Sequence, residues 1–224
     1  MRRIQIIATL LLFVTVTACE ADNGMGPQSP VMDEAAQLDL IKDAVNELPA
    51  GDISQEVIDG LILMREEEKL ARDVYQHFYD LYSTNVFRNI ARSEARHMSA
   101  IKTLLDKYGI ADPVTDDTRG VFTDPHMTDL YSQLTTAGEK SLLDAMIVGA
   151  TIEDLDIKDL MELSEDVEAE DILMVYRNLT KGSRNHMRAF HSQIERNNGS
   201  YTPQYISQEL YDDIISSPRE RGRA

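Results

Sequence analysis

Four stretches of this chain repeat apolar residues every three or four positions, and each stripe is broken near its middle by a side chain of metal-ligand type. The first runs Leu61, Met64, Glu68, Ala71, Tyr75, Phe78, Tyr82, and the second Ile90, Glu94, His97, Ile101, Leu104, Tyr108. The third runs Leu143, Met146, Ala150, Glu153, Ile157, Leu160, and the fourth Ile172, Tyr176, Leu179, Ser183, His186, Phe190, Gln193. Such spacing puts each set on one face of a helix, and a face that is otherwise apolar turns toward a core. A lone ionised carboxylate there costs several kcal/mol, so protons, cationic side chains or a metal must neutralise it. Three glutamates and two histidines on four inward faces make a metal the most economical answer.

Glu94-Ala95-Arg96-His97 is a Glu-x-x-His pair. On a helix its two side chains lie one turn apart and reach the same small volume. Di-iron carboxylate bundles use two such pairs and one further glutamate from each of the other two helices. Glu68 and Glu153 stand where those further glutamates are expected, with Asp154 and Asp156 as rivals to Glu153, and Asp156 as a supporting or substitute ligand one turn on. The fourth stretch departs from the pattern: it reads Ser183-Arg184-Asn185-His186, keeping the imidazole but putting a neutral serine in place of the carboxylate. Glu68, Glu94, His97, Glu153 and His186 are therefore the expected ligands of one or two ions, with Tyr75, Tyr176, Ser183 and Asp156 beside them. Carboxylate with imidazole suits iron or manganese, and zinc also fits. The rival reading is a metal-free core in which Arg72, Arg92, Arg96, Arg184 and Arg188 pair with the acids. Glu66 and Glu67 read as a solvated face, and His77, His126 and His191, which fall outside the stripes, as surface residues.

Pro and Gly punctuation sets the layout. A short helix is expected over about 34–48, then long helices over about 55–82 and 86–108, joined by so short a link that they must be antiparallel neighbours. A long connection over about 110–139 carries one short helix near 127–135. Two more long helices follow, over about 140–163 and 166–196, and then a peripheral wrap with a frayed end. No strand alternation is present. The expected fold is all-α: a ferritin-like four-helix bundle with a long crossover between its second and third helices.

The amino end reads as an export signal. Arg2 and Arg3 precede an apolar run from Ile4 to Val16, too short for the ~20 residues of a membrane span. Val16-Thr17-Ala18-Cys19 resembles the lipobox of bacterial lipoproteins, which implies cleavage after residue 18 and lipidation of Cys19, the only cysteine. Glu20 after it suggests, by resemblance to Gram-negative sorting, the outer membrane, facing periplasm or surface. The expected organisation is a signal over 1–18, a flexible tether over 19–35, the bundle over 36–200 and a tail over 201–224. The formal charge of −17 falls to near −19 without Arg2 and Arg3, which argues against nucleic acid as a partner. Expected partners are a metal ion and, through Cys19, a membrane; a homodimer through helix faces is a further expectation, for which the sequence marks no interface.

Glu68-Lys69-Leu70-Ala71-Arg72-Asp73-Val74-Tyr75 resembles the first-helix signature of rubrerythrins and bacterioferritins. More specifically, Met64–Tyr75, Ile90–Met98, Gly149–Leu155 and Gly182–Phe190 resemble the blocks of domain of unknown function 2202 (DUF2202), a ferritin-like family of bacteria and archaea. The similarity spans about 53–197, and Ser183 fits the form of the last block in that family. The resemblance implies a fold and a metal site but no reaction. Three functional readings follow: an envelope metalloprotein with oxidoreductase chemistry on oxygen or peroxide, a metal carrier without turnover, and a lipid-anchored structural or interaction bundle.

Overall fold

The structure is a computed structural model that describes residues 34–221. The segment expected to be an export signal, Cys19, most of the expected tether and the last three residues lie outside the described residues. Seven helices follow in order: α1 (Glu34–Glu47), α2 (Gln55–Tyr82), α3 (Asn85–Tyr108), α4 (Pro125–Gly138), α5 (Leu142–Glu165), α6 (Glu170–Arg196) and α7 (Gln208–Ser216), and no strand occurs among the described residues. No described helix is long and apolar enough to cross a membrane.

The helix ends have local causes. Ser54 caps α2 by accepting from Val57 N at 3.3 Å, and Ser141 caps α5 by accepting from Asp144 N at 3.1 Å, each satisfying a donor the helix start leaves open. Gly109 ends α3 at φ 66°, a left-handed conformation that costs glycine little. α4 is longer than its sequence pattern indicates, because Asp124 caps it, accepting from His126 N at 2.8 Å, and Pro125 supplies a preset first turn. α6 begins four residues later than expected. Asp171, fully buried, accepts from Lys107 Nζ at 2.5 Å and Tyr108 Oη at 2.9 Å, which pins the start of α6 to the end of α3.

The four long helices form two antiparallel hairpins, α2–α3 and α5–α6, which meet where α2 packs on α5 and α3 on α6. Two apolar clusters fill the interior. One holds Tyr75, Phe78, Phe87, Met146, Met187 and Phe190; the other holds Leu61, Met64, Ile101, Leu104, Leu160 and Tyr176. The ligand-type residues occupy the layer between them on every long helix. Each fully buried side chain of this size contributes about 1.5–3 kcal/mol, so two dry clusters clamp the polar layer from both ends.

The charged run on α2 that reads as a solvated face is, in part, the anchor of the crossover. Glu66 is buried, not solvated: its carboxylate accepts from Thr123 N at 2.7 Å and Asp124 N at 3.2 Å. Asp73 accepts from Lys69 Nζ at 2.6 Å, Arg72 Nη2 at 2.8 Å and Gly120 N at 3.0 Å. Lys69, fully buried, also donates to Thr118 O at 2.9 Å and lies 4.5 Å from the centre of the Phe122 ring. A long connection without regular structure carries many backbone donors, and α2 satisfies several of them with buried carboxylates.

The tail is also more ordered than its sequence indicates. Residues 201–206 fold onto α5, α7 buries Tyr211 and Ile214, and Glu220 pairs with Arg184 at 2.6 Å and Arg188 at 3.1 Å.

Candidate functional site

The two hairpins bring the five expected ligands into the layer between the clusters. Glu68, Glu94, Glu153, His97 and His186 are all buried. Glu68, Glu94 and His97 form one group whose donor atoms lie within 4.8 Å of one another; Glu94, Glu153 and His186 form a second. Glu94 belongs to both.

Both imidazoles turn Nδ1 toward the carboxylates. His97 Nδ1 is 2.7 Å from Glu94 Oε2 and 3.1 Å from Glu68 Oε2. His186 Nδ1 is 2.9 Å from Glu94 Oε1 and 3.3 Å from Glu153 Oε2. The two rings are stacked, with centres 5.6 Å apart. Despite the nearby nitrogen, Glu94 Oε1 has no aligned hydrogen bond, and Glu68 Oε1 is buried without a hydrogen-bond partner. Oxygens that are close to nitrogens but poorly aligned for hydrogen bonding suit a shared cation better than a proton.

Electrostatics records the same crowding. Burial pushes the Glu94 carboxyl up, but His186 and His97 outweigh it and hold the group well below the usual range. Burial raises Glu68 well above its ordinary value against the pull of His97, and raises Glu153 against the pull of His186. His186 is pushed up to about 10: burial opposes the charge, but Glu94 and Glu153 prevail. His97 is likewise raised well above normal, with Glu68 and Glu94 overcoming burial.

Three of the five arginines of the rival reading pair away from this layer. Arg72 pairs with Asp73 and Asp117, and Arg184 and Arg188 pair with Glu220. Histidines face the three glutamates instead. Among the other histidines, His77 sits 2.9 Å from Glu139, His191 Nδ1 sits 2.8 Å from Tyr211 Oη, and His126 is exposed.

The supporting residues divide. Tyr75, fully buried against Phe87 and Phe190, donates to Glu153 Oε1 at 2.6 Å and orients that carboxylate. Ser183 is buried, and its hydroxyl makes a hydrogen bond with Asp156. Burial, with Glu153 adding to it, pushes the Asp156 carboxyl up to about 7. Tyr176 sits in the second apolar cluster, and its buried hydroxyl makes no hydrogen bond to any of the five ligands. Asp154 is no rival ligand: it is fully buried and binds the tail, accepting from Tyr201 Oη at 2.8 Å and Ile206 N at 2.9 Å.

Glu67 joins the site against expectation. It lines a cavity with Glu68, Glu94, Glu153 and Asp156, roofed by Leu130 and Leu134 of α4. Its Oε2 is buried without a partner, and burial, with Asp159 adding to it, raises its carboxyl well above the usual range. The sequence carried a signal for this, since Leu63, Leu70 and Val74 share its face at helical spacing. The cavity has a volume of about 50 Å³, against the ~10–15 Å³ one water needs.

Gly182 explains how His97 fits. A Cβ at this position would lie 2.6 Å from His97 Cε1 and Nε2, so only glycine lets α6 pass this close to the far edge of the ring. Gly182→Ala gains about 1 kcal/mol of helix propensity but must push the buried imidazole aside, at about 1–3 kcal/mol for overpacking, so stability is expected to stay level or fall slightly while the ring is displaced. Metal affinity is expected to fall about 10–100-fold, as with other displaced ligand supports. Titration with Mn²⁺, paired with thermal denaturation, checks this; unchanged affinity would mean His97 is not a ligand.

The fold and site define an all-helical protein with two buried carboxylate–imidazole groups that share one glutamate. The chain belongs to the family described as "Uncharacterized protein domain (DUF2202)", whose model matches residues 57–218. It is 54% identical over 178 residues to "Uncharacterized protein MJ0754" of Methanocaldococcus jannaschii, an alignment covering 80% of this chain and 96% of that one. It shares its fold with the crystal structure of hypothetical protein MJ0754 from Methanococcus jannaschii, with a TM-score of 0.76 and 55% identity over 77% of this chain and 99% of that one.

Proposed function

We propose that this is a ferritin-like metal-binding protein that holds iron or manganese with Glu68, Glu94, His97, Glu153 and His186 and acts on dioxygen or peroxide. The observation that carries the reading is the pair of buried Glu/Glu/His groups meeting at Glu94. A reduced ion bound there would supply electrons. The residues of this chain do the rest. Glu94 lies between the two groups, Tyr75 fixes Glu153 through its hydroxyl, and Gly182 gives His97 room. The cavity is apolar on the side of Leu70, Ala71, Leu130 and Leu134, and it reaches the carboxylates; such a lining favours a small uncharged oxidant over a charged metabolite. One long crossover between two hairpins supports the ferritin-like assignment. Elemental analysis of protein purified without chelator, followed by anaerobic ferrous loading and exposure to oxygen or peroxide, tests the reading. Rapid oxidation with peroxide consumed is expected. A static spectrum would reduce the protein to a metal carrier, and no retained metal would leave a structural bundle.

The lipobox sequence supports a lipid anchor at Cys19 in a bacterial envelope. Cys19→Ser is expected to move the protein from the membrane to the soluble fraction, and retention in the membrane would argue against lipidation.

A pH dependence accompanies the metal reading. In metal-free protein the raised His186 and His97 contribute stability that is complete below the unfolded imidazole value of 6.5 and is lost as pH climbs toward about 10. Raised Glu68 and Glu153 act in the same direction, because ionising them costs more folded than unfolded. The depressed Glu94 acts oppositely, but only below the ordinary carboxylate range. The melting temperature of metal-free protein should therefore fall between pH 6.5 and 10. Bound metal replaces those protons and should flatten the slope. Equal slopes with and without metal would contradict the ligand set.

A further inference from the structure

The fourth long helix lacks one carboxylate, and the structure places a substitute beside the gap. Ser183 lies one turn before His186 on α6, as Glu94 lies one turn before His97 on α3. Its buried hydroxyl, with Leu179 O at 3.0 Å, also contacts Asp156 Oδ2 on α5. Asp156 lies one turn beyond Glu153 on the same helix, so α5 carries a Glu-x-x-Asp pair facing the Glu-x-x-His pair of α3. Asp156 lines the same cavity as Glu67, Glu68, Glu94 and Glu153.

Charge makes the same point. Those five acids surround one small cavity, and the two imidazoles that face them are neutral when they ligate a metal. One divalent ion leaves a large negative excess in a dry layer, whereas two come close to neutrality. Asp156 stands outside both three-ligand groups and is held by Ser183.

We propose that Asp156 supplies the carboxylate that α6 lacks, so that the centre holds two divalent cations with Glu68, Glu94, His97, Glu153, Asp156 and His186 as protein ligands. This rests on the metal-binding reading above and adds to it the ion count and the sixth ligand. Ser183 is then a positioning residue. Its hydroxyl, on α6 at the position where a second Glu-x-x-His pair would carry its glutamate, holds Asp156.

Metal content of the full chain loaded with Mn²⁺ tests this in three forms: the parent, Asp156→Asn, and Asp156→Asn combined with Ser183→Glu. The parent is expected to hold two ions per chain and Asp156→Asn one. The double variant, which returns a carboxylate to α6, is expected to recover the second. Electron paramagnetic resonance of the loaded parent gives a measurement independent of any variant's folding, with an exchange-coupled Mn²⁺ pair expected. Two ions retained by Asp156→Asn would overturn the assignment of Asp156 while leaving the metal-binding reading intact. An isolated six-line signal from a parent saturated with one ion would overturn the ion count. A parent that binds no Mn²⁺ would defeat both readings together.

Discussion

Glu94→Ala is expected to leave the protein without metal, whereas Glu68→Ala and Glu153→Ala each disable one side of the centre. The asymmetry follows from geometry: Glu94 is the carboxylate common to both groups, with one oxygen 2.7 Å from His97 Nδ1 and the other 2.9 Å from His186 Nδ1. Its loss is expected to weaken metal binding by at least ~100-fold, at or beyond the upper end of the 10–100-fold typical of residues that only support a ligand. The metal-free protein should suffer as well. Two imidazoles with ring centres 5.6 Å apart would lose the anion they share, and removing one partner of a buried ion pair costs about 3–5 kcal/mol. Glu94→Gln separates the two effects, since the amide keeps the shape and discards the charge. It should lose metal while restoring part of the packing. Elemental analysis and thermal denaturation of both variants check this, and undiminished metal content in Glu94→Ala would remove Glu94 from the site.

The legible part of this protein was the part governed by periodicity. A stripe of period three to four reports which face turns inward, so the four inward faces that carry the candidate ligands, the antiparallel hairpins and the crossover could all be read from the chain, and the buried positions of Glu68, Glu94, His97, Glu153 and His186 follow from the same stripes. What periodicity does not report is how a polar residue off the stripe is satisfied. Glu66 and Asp73 bind backbone of the crossover, and Asp154 binds backbone of the tail; each partner lies 47–57 residues away in sequence. No local pattern marks such a pairing, because it depends on where an irregular segment happens to pass. Glu67 is an intermediate case: its neighbours at helical spacing are apolar, but the adjacent Glu66 and Glu68 make the run look like a solvated face. The same limit applied to Tyr176, which shares the inward stripe yet sits in the cluster beyond the ligand layer.

Asp154→Ala is expected to free the tail without removing the candidate ligands. Asp154 is fully buried, and its partners are neutral donors: Tyr201 Oη at 2.8 Å, Gln204 N at 2.5 Å, Tyr205 N at 3.1 Å and Ile206 N at 2.9 Å. Hydrogen bonds to a charged acceptor contribute about 1.5–3 kcal/mol each, and they do not add in full. A total loss of about 3–5 kcal/mol is therefore expected, or roughly 10 °C in melting temperature at 2–4 °C per kcal/mol for a chain of this size. The loss should be local first. With residues 201–206 no longer held on α5, limited proteolysis should cut between α6 and α7 while α2, α3, α5 and α6 stay intact. Tyr205 lines the cavity beside the ligand layer, so its departure should also speed the access of small reagents to a bound metal. Glu153, the neighbour of Asp154 in sequence, faces the opposite environment and keeps its hydrogen bond from Tyr75, so metal content should stay close to that of the parent. If metal were lost together with the tail, the strap would have to be counted as part of the centre rather than as its cover, because Asp154 would then be holding Glu153 in place and not merely the chain that passes over it.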